Sequence, residues 1–445
     1  MMKKPVLYML FSIFLSFQAG VAEHFLTLPE AEQRGLQNNY QLLISQFEQE
    51  SARWERYSAL ASFLPNVSFS TNWIQAEDID IPPPNGTPGE IGVPGAQPGL
   101  FAQDGFQHQL SVTQPIFNSG AEIVSTLMAK NTLSALRHRV EETKQDMLLQ
   151  IRSLYLNAII LKEQMRIDSL GLQWVEGSLE RARIRFEEGV LPESELLRWQ
   201  GEVFERRADI AQSRVNAQSA LVQLLFAIGE PVTRRVPFEL QDKNLLQELY
   251  GEIQPPSPVS VEENPSVLAA REELSVSRRT VQLALTPFLP RINAFFQYDW
   301  LPDDNFFPQE EGFWRYGIRM DLDLFAGGQR YFDYRAARNQ HTTMETTYQQ
   351  LLENTRASVL ETEMSFESAV LEVEAARSRL ELMEKTLEMM ELRYEAGVVG
   401  ILDLLDTRVQ LESAEMVYLS GMANAIINRY EFERAAGTLK PFPNP

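Results

Sequence analysis

The feature that most constrains the fold is a duplication within the chain. Arg185 to Leu197 reads RFEEGVLPESELL, and Arg393 to Leu405 reads RYEAGVVGILDLL. Gly189 and Gly397 match between these copies, 208 residues apart. Two further glycine pairs keep the same separation: Gly120 with Gly328, and Gly229 with Gly437. A period this long is not that of a solenoid, so it predicts two related halves of one pseudo-symmetric body.

The first 22 residues have the pattern of an export signal. Two lysines precede an apolar run from Val6 to Phe17, and small residues fit a cleavage site after Ala22. That run is too short to span a bilayer, and no later stretch approaches 18 consecutive apolar residues. We therefore expect an exported protein without a transmembrane helix. The sequence contains no cysteine, which excludes disulfides and a lipid anchor on an N-terminal cysteine.

Charge and motif content exclude several classes of function. The chain carries a formal net charge of −21, so it is not expected to bind nucleic acid through non-specific electrostatics. The four histidines are scattered without metal-ligand spacing, and no phosphate-binding glycine loop or serine-nucleophile elbow is present. The sequence therefore predicts no enzyme activity, no metal site and no cofactor.

Amphipathic strands are predicted in both halves. Residues 66–75 and 314–324 alternate apolar with polar or charged side chains, which gives each strand one apolar face. We predict one hairpin per half, over 66–117 and 291–325. The apolar face would be core in a soluble sandwich and would face lipid in a membrane barrel. The export signal and the many aromatic residues in these strands favour the barrel.

A predicted helix precedes the first strand of each half. The first runs unbroken from Leu28 to about Ala61, the second starts at Asn264-Pro265-Ser266, and each ends at a Phe-Leu-Pro segment. These helices are related by a larger separation of 225 residues, which pairs Asn39 with Asn264 and Pro65 with Pro290. The 17 extra residues of the first half fall around the Pro- and Gly-rich segment 81–99. We interpret this segment as an insertion in an exposed loop.

Very long helices are predicted after both hairpins. Residues 120–188 and 328–396 contain no strong break, and at about 1.5 Å per residue each would extend about 100 Å. Return helices are predicted over 190–229 and 398–437. Heptad spacing near the ends of the long helices predicts a coiled-coil seam in each half. The seam residues are Leu172, Val175, Leu179, Ala182 and Phe186, and Leu380, Met383, Leu387, Met390 and Tyr394.

These patterns divide the chain into five segments: a signal (1–22), a first repeat (23–229), a connector (230–262), a second repeat (263–437) and a short tail (438–445). Each repeat is predicted to run helix, hairpin, long helix, return helix. The Pro-rich connector is interpreted as a small excursion on the outside, near the equator of the helical part. The tail is not expected to form a domain.

Four strands are too few to close a membrane barrel, which needs about eight. Open sheet edges are not tolerated in lipid, so copies of the chain must share one barrel. Two copies would give eight strands and three would give twelve, and strand counting alone does not choose between them. The polar helices would project into an aqueous compartment as a hollow cylinder. The predicted fold class is therefore mostly α with a membrane β-barrel.

The sequence resembles the TolC-type outer-membrane efflux proteins over essentially the whole mature chain. The resemblance is carried by the tip motifs EEGVLPESELL and EAGVVGILDLL, by the FLP segments, and by the turns PIFNSGAE and DLFAGGQR. It implies a homotrimer whose 12-stranded barrel, four strands per chain, continues into an α-helical coiled-coil tunnel in the periplasm. It further implies docking to a periplasmic adaptor and an inner-membrane transporter, as an outer-membrane exit duct for drugs, metals or secreted proteins.

The resemblance also assigns candidate site residues. Asp403 and Asp406, three residues apart on one helix face, match positions that ring the periplasmic constriction in the family. A trimer would place six carboxylates there, which favours cations and block by divalent ions. Charge patterning alone favours a solvated helix face beside a turn, and the match to the family motif favours the constriction instead.

Tyr394 and Glu195 match positions that the family uses for contacts that keep the tip closed. Val399 stands where an arginine can bridge to the neighbouring hairpin in the family, so no salt-bridge latch is expected there. A hydrogen bond from Tyr394 would be the remaining latch. The heptad pattern favours the other role, in which Tyr394 packs in the seam as Phe186 does in the first half.

The hairpin tips are the candidate partner-binding surface. Glycine is needed there to reverse the chain, which is a sufficient structural reason for its presence. By resemblance, the tips also meet the adaptor. The tip residues are Gly189, Val190, Gly397 and Val398.

The main alternative is a non-conducting structural or adhesive coiled-coil protein of the cell envelope. It would explain the heptads and the acidity, but not four amphipathic strands alternating with long helices. A periplasmic adaptor is a second alternative, but adaptors have one α-hairpin flanked by compact β-domains, which is a different order of elements.

Overall fold

A computed structural model of the chain describes residues 25–75, 105–232, 239–240, 244–257, 260–300, 306–307 and 311–443. The predicted signal and the predicted loop insertion 81–99 lie outside these residues. The described chain is mostly helical, with one four-stranded and one two-stranded sheet. Within these residues, no helix contains a stretch long and apolar enough to cross a membrane.

The helices are α1 (Leu28–Asn38), α2 (Tyr40–Ala61), α3 (Ala121–Glu187), α4 (Glu193–Ala227), α5 (Asn244–Gly251), α6 (Pro265–Leu283), α7 (Gln329–Glu395) and α8 (Ile401–Ala435). The strands are β1 (Phe25–Leu26), β2 (Asn66–Ile74), β3 (Gly105–Asn118), β4 (Glu239–Leu240), β5 (Arg291–Trp300) and β6 (Gly312–Asp321).

The chain forms two compact units. One comprises Met1–Phe47, His138–Val267 and Leu351–Pro445, and the other comprises Glu48–Arg137 and Leu268–Gln350.

The second unit contains an antiparallel sheet in the order β2-β3-β5-β6. The hairpins β2–β3 and β5–β6 lie where strand alternation predicts them, and β3 pairs with β5 between them. The β3–β5 register shifts between Pro115 and Phe117, because proline has no N–H to donate to the ladder. The strand predicted to reach residue 325 ends at Asp321. Its partner strand begins opposite, at Arg291, so no further backbone groups are available for pairing.

The sheet has one apolar and one polar face. On β2 and β6, the apolar face carries exposed side chains, which are Val67, Phe69, Trp73, Trp314, Tyr316, Ile318 and Met320. On the other face, the hydroxyls of Ser68 and Ser111 are 2.7 Å apart, and Gln109 donates to Asp299 over 2.7 Å. The period of two along each strand produces this separation.

The first unit has a continuous apolar core. Its fully buried members include Leu26 on β1, Ile151 and Tyr155 on α3, and Leu224 on α4. The Tyr155 hydroxyl donates to the Leu26 carbonyl over 2.6 Å, so this buried polar group is satisfied. Apolar side chains of α1 and α8 complete the core.

The described part of the connector packs against this core. Its strand β4 pairs in parallel with β1, and its helix α5 packs on α8. Leu240 and Leu246 are buried in the main apolar cluster. Burial of these two leucines anchors β4 and α5 to the core.

Two buried asparagines have the same role in the two halves. Asn39 separates α1 from α2, where the sequence pattern predicts a single helix, and its side chain donates to the Ala227 carbonyl over 2.7 Å. Asn264 precedes α6 and donates to the Ala435 carbonyl over 2.8 Å. Both side chains also accept bonds from backbone N–H groups of the helix that follows. Each asparagine therefore joins the start of one helix to the end of a return helix.

A buried ion pair fixes the C-terminal tail to the core. Arg152 donates to Glu32 over 2.5 Å and to the Lys440 carbonyl over 2.7 Å, and the Phe442 N–H donates to Glu32 over 2.8 Å. The Arg152 guanidinium also lies 4.3 Å from the ring centroid of Tyr430 and 4.4 Å from that of Phe442. Burial raises the pKa of Tyr430 to about 12, so this ring faces the cation as a neutral phenol.

Candidate functional site: the hairpin tips and the adjacent acidic pair

Both tips are built by the same turn. Gly189 follows α3 with φ +76°, and Gly397 follows α7 with φ +73°, a region that glycine enters without steric cost. Val190 N–H donates to the Arg185 carbonyl and Val398 N–H to the Arg393 carbonyl, both over 2.9 Å. These bonds cap the last turns of the helices as a Schellman motif.

The two tip valines are exposed. Val190 has 74% of its surface accessible and Val398 has 64%. An apolar side chain held outward on a turn with defined hydrogen bonds is a suitable contact for a partner protein. The four tip residues are thus placed together in pairs, Gly189 with Val190 and Gly397 with Val398.

Asp403 and Asp406 lie in the first two turns of α8 and are both exposed. Asp403 accepts a bond from the Gly400 N–H over 3.3 Å, and Asp406 accepts one from the Gln410 side chain over 2.7 Å. Neither carboxylate forms an ion pair with a described residue. Asp403 lies in the first turn of α8, so its negative charge is near the N-terminal end of the helix dipole.

An apolar cluster lies behind the tips. Its buried residues are Val175 and Ala182 of α3, Trp199 and Val203 of α4, and Ile401 of α8. The seam that heptad spacing predicts in the first half supplies two of these residues. The cluster joins the ends of both helical hairpins within one chain.

Tyr394 packs against this cluster. Its ring centroid is 6.5 Å from that of Trp199, at an interplanar angle of 72°, and Arg185 lies 6.0 Å from the ring. These contacts give Tyr394 a packing role inside the chain. Glu195, half-buried in the first turn of α4, bonds through its backbone N–H to the Pro192 carbonyl over 3.0 Å. A closing contact by either side chain remains a prediction.

Substitution at Tyr394 separates packing from a hydrogen-bonded latch. Tyr394→Phe keeps the ring and should leave the thermal midpoint unchanged. Tyr394→Ala should lower the free energy of unfolding by roughly 1–3 kcal/mol, because the ring is partly buried. Thermal unfolding of both variants measures the difference. If Tyr394→Phe lowered the thermal midpoint as much as Tyr394→Ala, the hydroxyl rather than the ring would be the essential group.

A buried ion network, which sequence reasoning missed, lies farther along the same helices. Arg206 of α4 donates to Glu202 over 2.9 Å and to Glu412 of α8 over 2.6 Å, and Arg408 donates to Glu412 over 2.9 Å. Burial alone would lower the pKa of Arg206, but the bonds to both glutamates outweigh it and raise the pKa above its ordinary value. The spacings 202/206 and 408/412 put the two members of each pair one helical turn apart, so the sequence could have predicted an ion pair within α4 and another within α8. No spacing in the sequence predicts the bond between Arg206 of α4 and Glu412 of α8.

The glycine at position 171 allows this network to approach α3. A Cβ atom there would lie 2.8 Å from a Glu412 carboxylate oxygen and 3.4 Å from an Arg206 nitrogen. Trp174, one turn farther along α3, donates to Glu391 of α7 over 3.0 Å. Contacts at and around α3 therefore link α4, α8 and α7 to one another near the tips.

The chain belongs to the outer membrane efflux protein family, whose model matches residues 32–230 and 259–438. Members of this family are outer-membrane channels rather than enzymes. The chain is 23% identical over 321 residues to the pyoverdine export outer membrane protein OpmQ of Pseudomonas aeruginosa. It is 22% identical over 326 residues to the alkaline protease secretion protein AprF of the same organism. These alignments cover 71% and 70% of this chain but 66% and 65% of the relatives, slightly less than two thirds of their length.

Solved outer-membrane channels share the fold. The Campylobacter jejuni CmeC channel matches with a TM-score of 0.76 at 16% identity, covering 94% of this chain and 87% of CmeC. CusC matches with a TM-score of 0.73 at 17% identity, covering 95% of both chains. VceC of Vibrio cholerae matches with a TM-score of 0.72 at 14% identity, covering 92% of this chain and 96% of VceC.

Proposed function

We propose that three copies of this chain form an outer-membrane exit duct of a Gram-negative bacterium, with a long periplasmic extension. The duct would passively conduct substrates received from an inner-membrane transporter through a periplasmic adaptor. The observation that carries the proposal is the four-stranded sheet, which is apolar on one face, polar on the other and open at both edges.

The sheet supports a shared barrel. Among the described strands, β2 and β6 each have a neighbour on one side only. Lipid does not tolerate such open edges, so β2 of one copy would pair with β6 of the next. Three copies would then close a barrel of 12 strands, with Trp73 and Trp314 on the lipid side and Gln109 and Asp299 lining the lumen.

The helices support assembly into a tunnel. In the first unit, α7 leaves a long row of apolar side chains exposed: Leu360, Met364, Leu371, Leu382, Met389 and Leu392. A soluble monomer rarely exposes so extended an apolar surface. Packing between helices of neighbouring copies would bury it. The two proposed repeats would alternate around the ring.

The exposed carboxylates of Asp403 and Asp406 would line the narrow periplasmic end of this tunnel. Six carboxylates from three copies would attract cations and bind divalent ions more tightly than monovalent ones. Nothing else in the described chain neutralises them, because neither is in an ion pair. We therefore assign the cation preference of the duct to these two positions.

The tips would meet the adaptor through Gly189, Val190, Gly397 and Val398. OpmQ is named for pyoverdine export and AprF for alkaline protease secretion. We accordingly place this protein in an efflux or type I secretion assembly. The transporter would supply both the energy and the choice of cargo, because members of this family are channels rather than enzymes.

Single-channel recording in a planar bilayer tests the proposal. The wild-type protein should show a small, cation-preferring conductance that divalent ions block. In Asp403→Asn/Asp406→Asn, the selectivity and the divalent block should fall severalfold, because six negative charges leave the constriction. Asparagine retains the acceptor oxygens for Gly400 and Gln410, so the helix start is preserved.

The control variant is Glu361→Gln/Glu367→Gln, which removes two exposed carboxylates of α7 that lie at least 30 residues before Gly397 along the helix. It should conduct as the wild type does. If selectivity and divalent block were the same in Asp403→Asn/Asp406→Asn as in the wild type, the protein would still be a duct, but its constriction would lie at other residues. A protein that stays silent even after both tips are shortened would favour the non-conducting structural alternative.

A further inference from the structure

We propose that the polar face of the β5–β6 hairpin is a binding site for aromatic anions, formed by Arg319 and Phe295 with Arg315 beside them. The inference rests on the proposed function, which assigns this face of the sheet to the lumen of a duct. It deepens that function, because it names a chemical class of molecule that the lumen would bind.

Charged side chains on the polar face of the sheet are confined to this hairpin. Along β2 and β3, the same face carries only uncharged residues. The charged residues all belong to β5 and β6, and they are Arg291, Asp299, Arg315, Arg319 and Asp321. Three arginines against two aspartates give this face a formal charge of +1, whereas the whole chain carries −21. The hairpin therefore presents a basic surface in a strongly acidic chain.

Arg319 is the arginine whose charge no aspartate balances. Arg315 lies 3.3 Å from the Asp299 carboxylate, and Arg291 is directly opposite Asp321 in the ladder. Arg319 is opposite the uncharged Asn293 and forms no ion pair with a described residue. Its side chain is exposed, so its N–H donors are accessible to an anion in solution.

An aromatic ring lies beside this free guanidinium. The Arg319 guanidinium is 5.5 Å from the ring centroid of Phe295. Phe295 is directly opposite Gly317, and a Cβ atom at that glycine would lie 3.1 Å from two carbons of the ring. The ring therefore lies over β6 at the level of Gly317, which stands between Arg315 and Arg319 along the strand.

Covering a strand glycine is a sufficient structural reason for an aromatic residue at position 295. It does not account for an unpaired arginine next to the ring on a face that is otherwise polar. A planar aromatic anion matches the whole arrangement. Its ring would stack on Phe295, and its acidic groups would accept hydrogen bonds from Arg319 and Arg315.

A second polar contact holds Arg315 in this arrangement. The Asp299 carboxylate that faces it also accepts a hydrogen bond from Gln109 of β3 over 2.7 Å. Asp299 is 17% exposed and Arg315 is 57% exposed, so the carboxylate is largely covered while the guanidinium reaches solvent. Arg315 can therefore contact an anion while it remains attached to the sheet.

Block of single-channel current by pyrene tetrasulfonate, a planar aromatic polyanion, tests the proposal. The wild-type protein should be blocked when the probe is added to one side of the bilayer. Arg319→Gln should raise the blocking concentration about tenfold, because a charge-assisted bond is lost. Phe295→Leu should raise it about threefold, because the stacking surface is lost. Inositol hexaphosphate, a polyanion without an aromatic ring, should block Phe295→Leu and the wild type at the same concentration.

The matched control is Arg377→Gln, which removes an arginine of α7 with a 69% exposed side chain, outside the sheet. It should be blocked as the wild type is. Current in the absence of the probe shows that each variant forms channels. Equal block of Arg319→Gln and the wild type would overturn the anion site while the duct stands. Equal weakening of block in Arg319→Gln and Arg377→Gln would also overturn it, since only overall charge would then matter.

A binding measurement separates failure of the site from failure of the duct. If the wild type carried no current even with both tips shortened, the proposed function would be wrong. The fluorescence anisotropy of pyrene tetrasulfonate, titrated with detergent-purified protein, would then decide the site by itself. Binding to the wild type about tenfold tighter than to Arg319→Gln would support the site. Equal binding to both would overturn it.

Discussion

Replacing Arg152 with alanine should lower the free energy of unfolding by about 3–5 kcal/mol, because it leaves the Glu32 carboxylate buried without its cation. The Arg152 side chain is 3% exposed and that of Glu32 is 2% exposed. The same change removes the bond to the Lys440 carbonyl and the stacking against Tyr430 and Phe442. Residues 438–443 should therefore detach from the core. Thermal unfolding followed by circular dichroism measures the first effect, and limited proteolysis of the tail measures the second.

A matched control lies on the same helix. Arg183 pairs with Glu187 over 3.3 Å, but both side chains are 65% exposed. Arg183→Ala should change stability by less than about 1 kcal/mol, as is usual for an exposed pair. In a double-mutant cycle, Glu32→Gln should restore part of the loss in Arg152→Ala, since the remaining buried group is then neutral. Equal effects of Arg152→Ala and Arg183→Ala would contradict the importance assigned to burial.

The second large effect is expected from Gly229→Ala, at the end of α4. Gly229 has φ +74°, and a Cβ atom at this position would overlap the carbonyl oxygen of Asn38. The left-handed conformation alone costs a non-glycine residue about 1–2 kcal/mol. Displacing the backbone that joins α1 to α2 should add about 1–3 kcal/mol, as overpacking generally does. The variant should unfold at a clearly lower temperature and yield less folded protein.

Gly189→Ala isolates the conformational term. Gly189 has nearly the same φ, +76°, and closes the same kind of turn, but a Cβ atom added there would meet no atom of a surrounding described residue within 4 Å. Gly189→Ala should therefore lower the free energy of unfolding only by the about 1–2 kcal/mol that the left-handed conformation costs. Comparison of the two thermal midpoints separates crowding from backbone strain. Were both variants equally unstable, contact with Asn38 would make no measurable contribution.

Local patterns in the sequence are sufficient to place most elements. Alternation predicts strands at 66–75 and 314–324, and the structure has them at Asn66–Ile74 and Gly312–Asp321. A period of two in hydrophobicity reflects which face of a strand meets water, and that information lies within about ten residues. Gly189 and Gly397 likewise mark chain reversals, since the turn requires a positive φ.

The tip residues are accessible from the sequence because they form compact motifs. Asp403 and Asp406 stand near the start of α8, exposed, as the motif indicates. Their role at a constriction still depends on other copies of the chain, so it stays a prediction. Heptad spacing predicts Tyr394 as a packing residue, and its contact with Trp199 agrees with that spacing.

Periodic elements, turns and family membership follow from the amino-acid sequence alone, because each depends on neighbouring residues or on a short motif. Which distant groups meet depends instead on how the helices pack. Asn39 interrupts a predicted helix because its side chain bonds to Ala227, and Glu412 is buried because Arg206 and Arg408 neutralise it. Leu246 of the connector enters the core for the same kind of reason. Hydrogen bonds and ion pairs act over a few ångströms of space, so their partners are set by the packing of the folded chain rather than by separation along it.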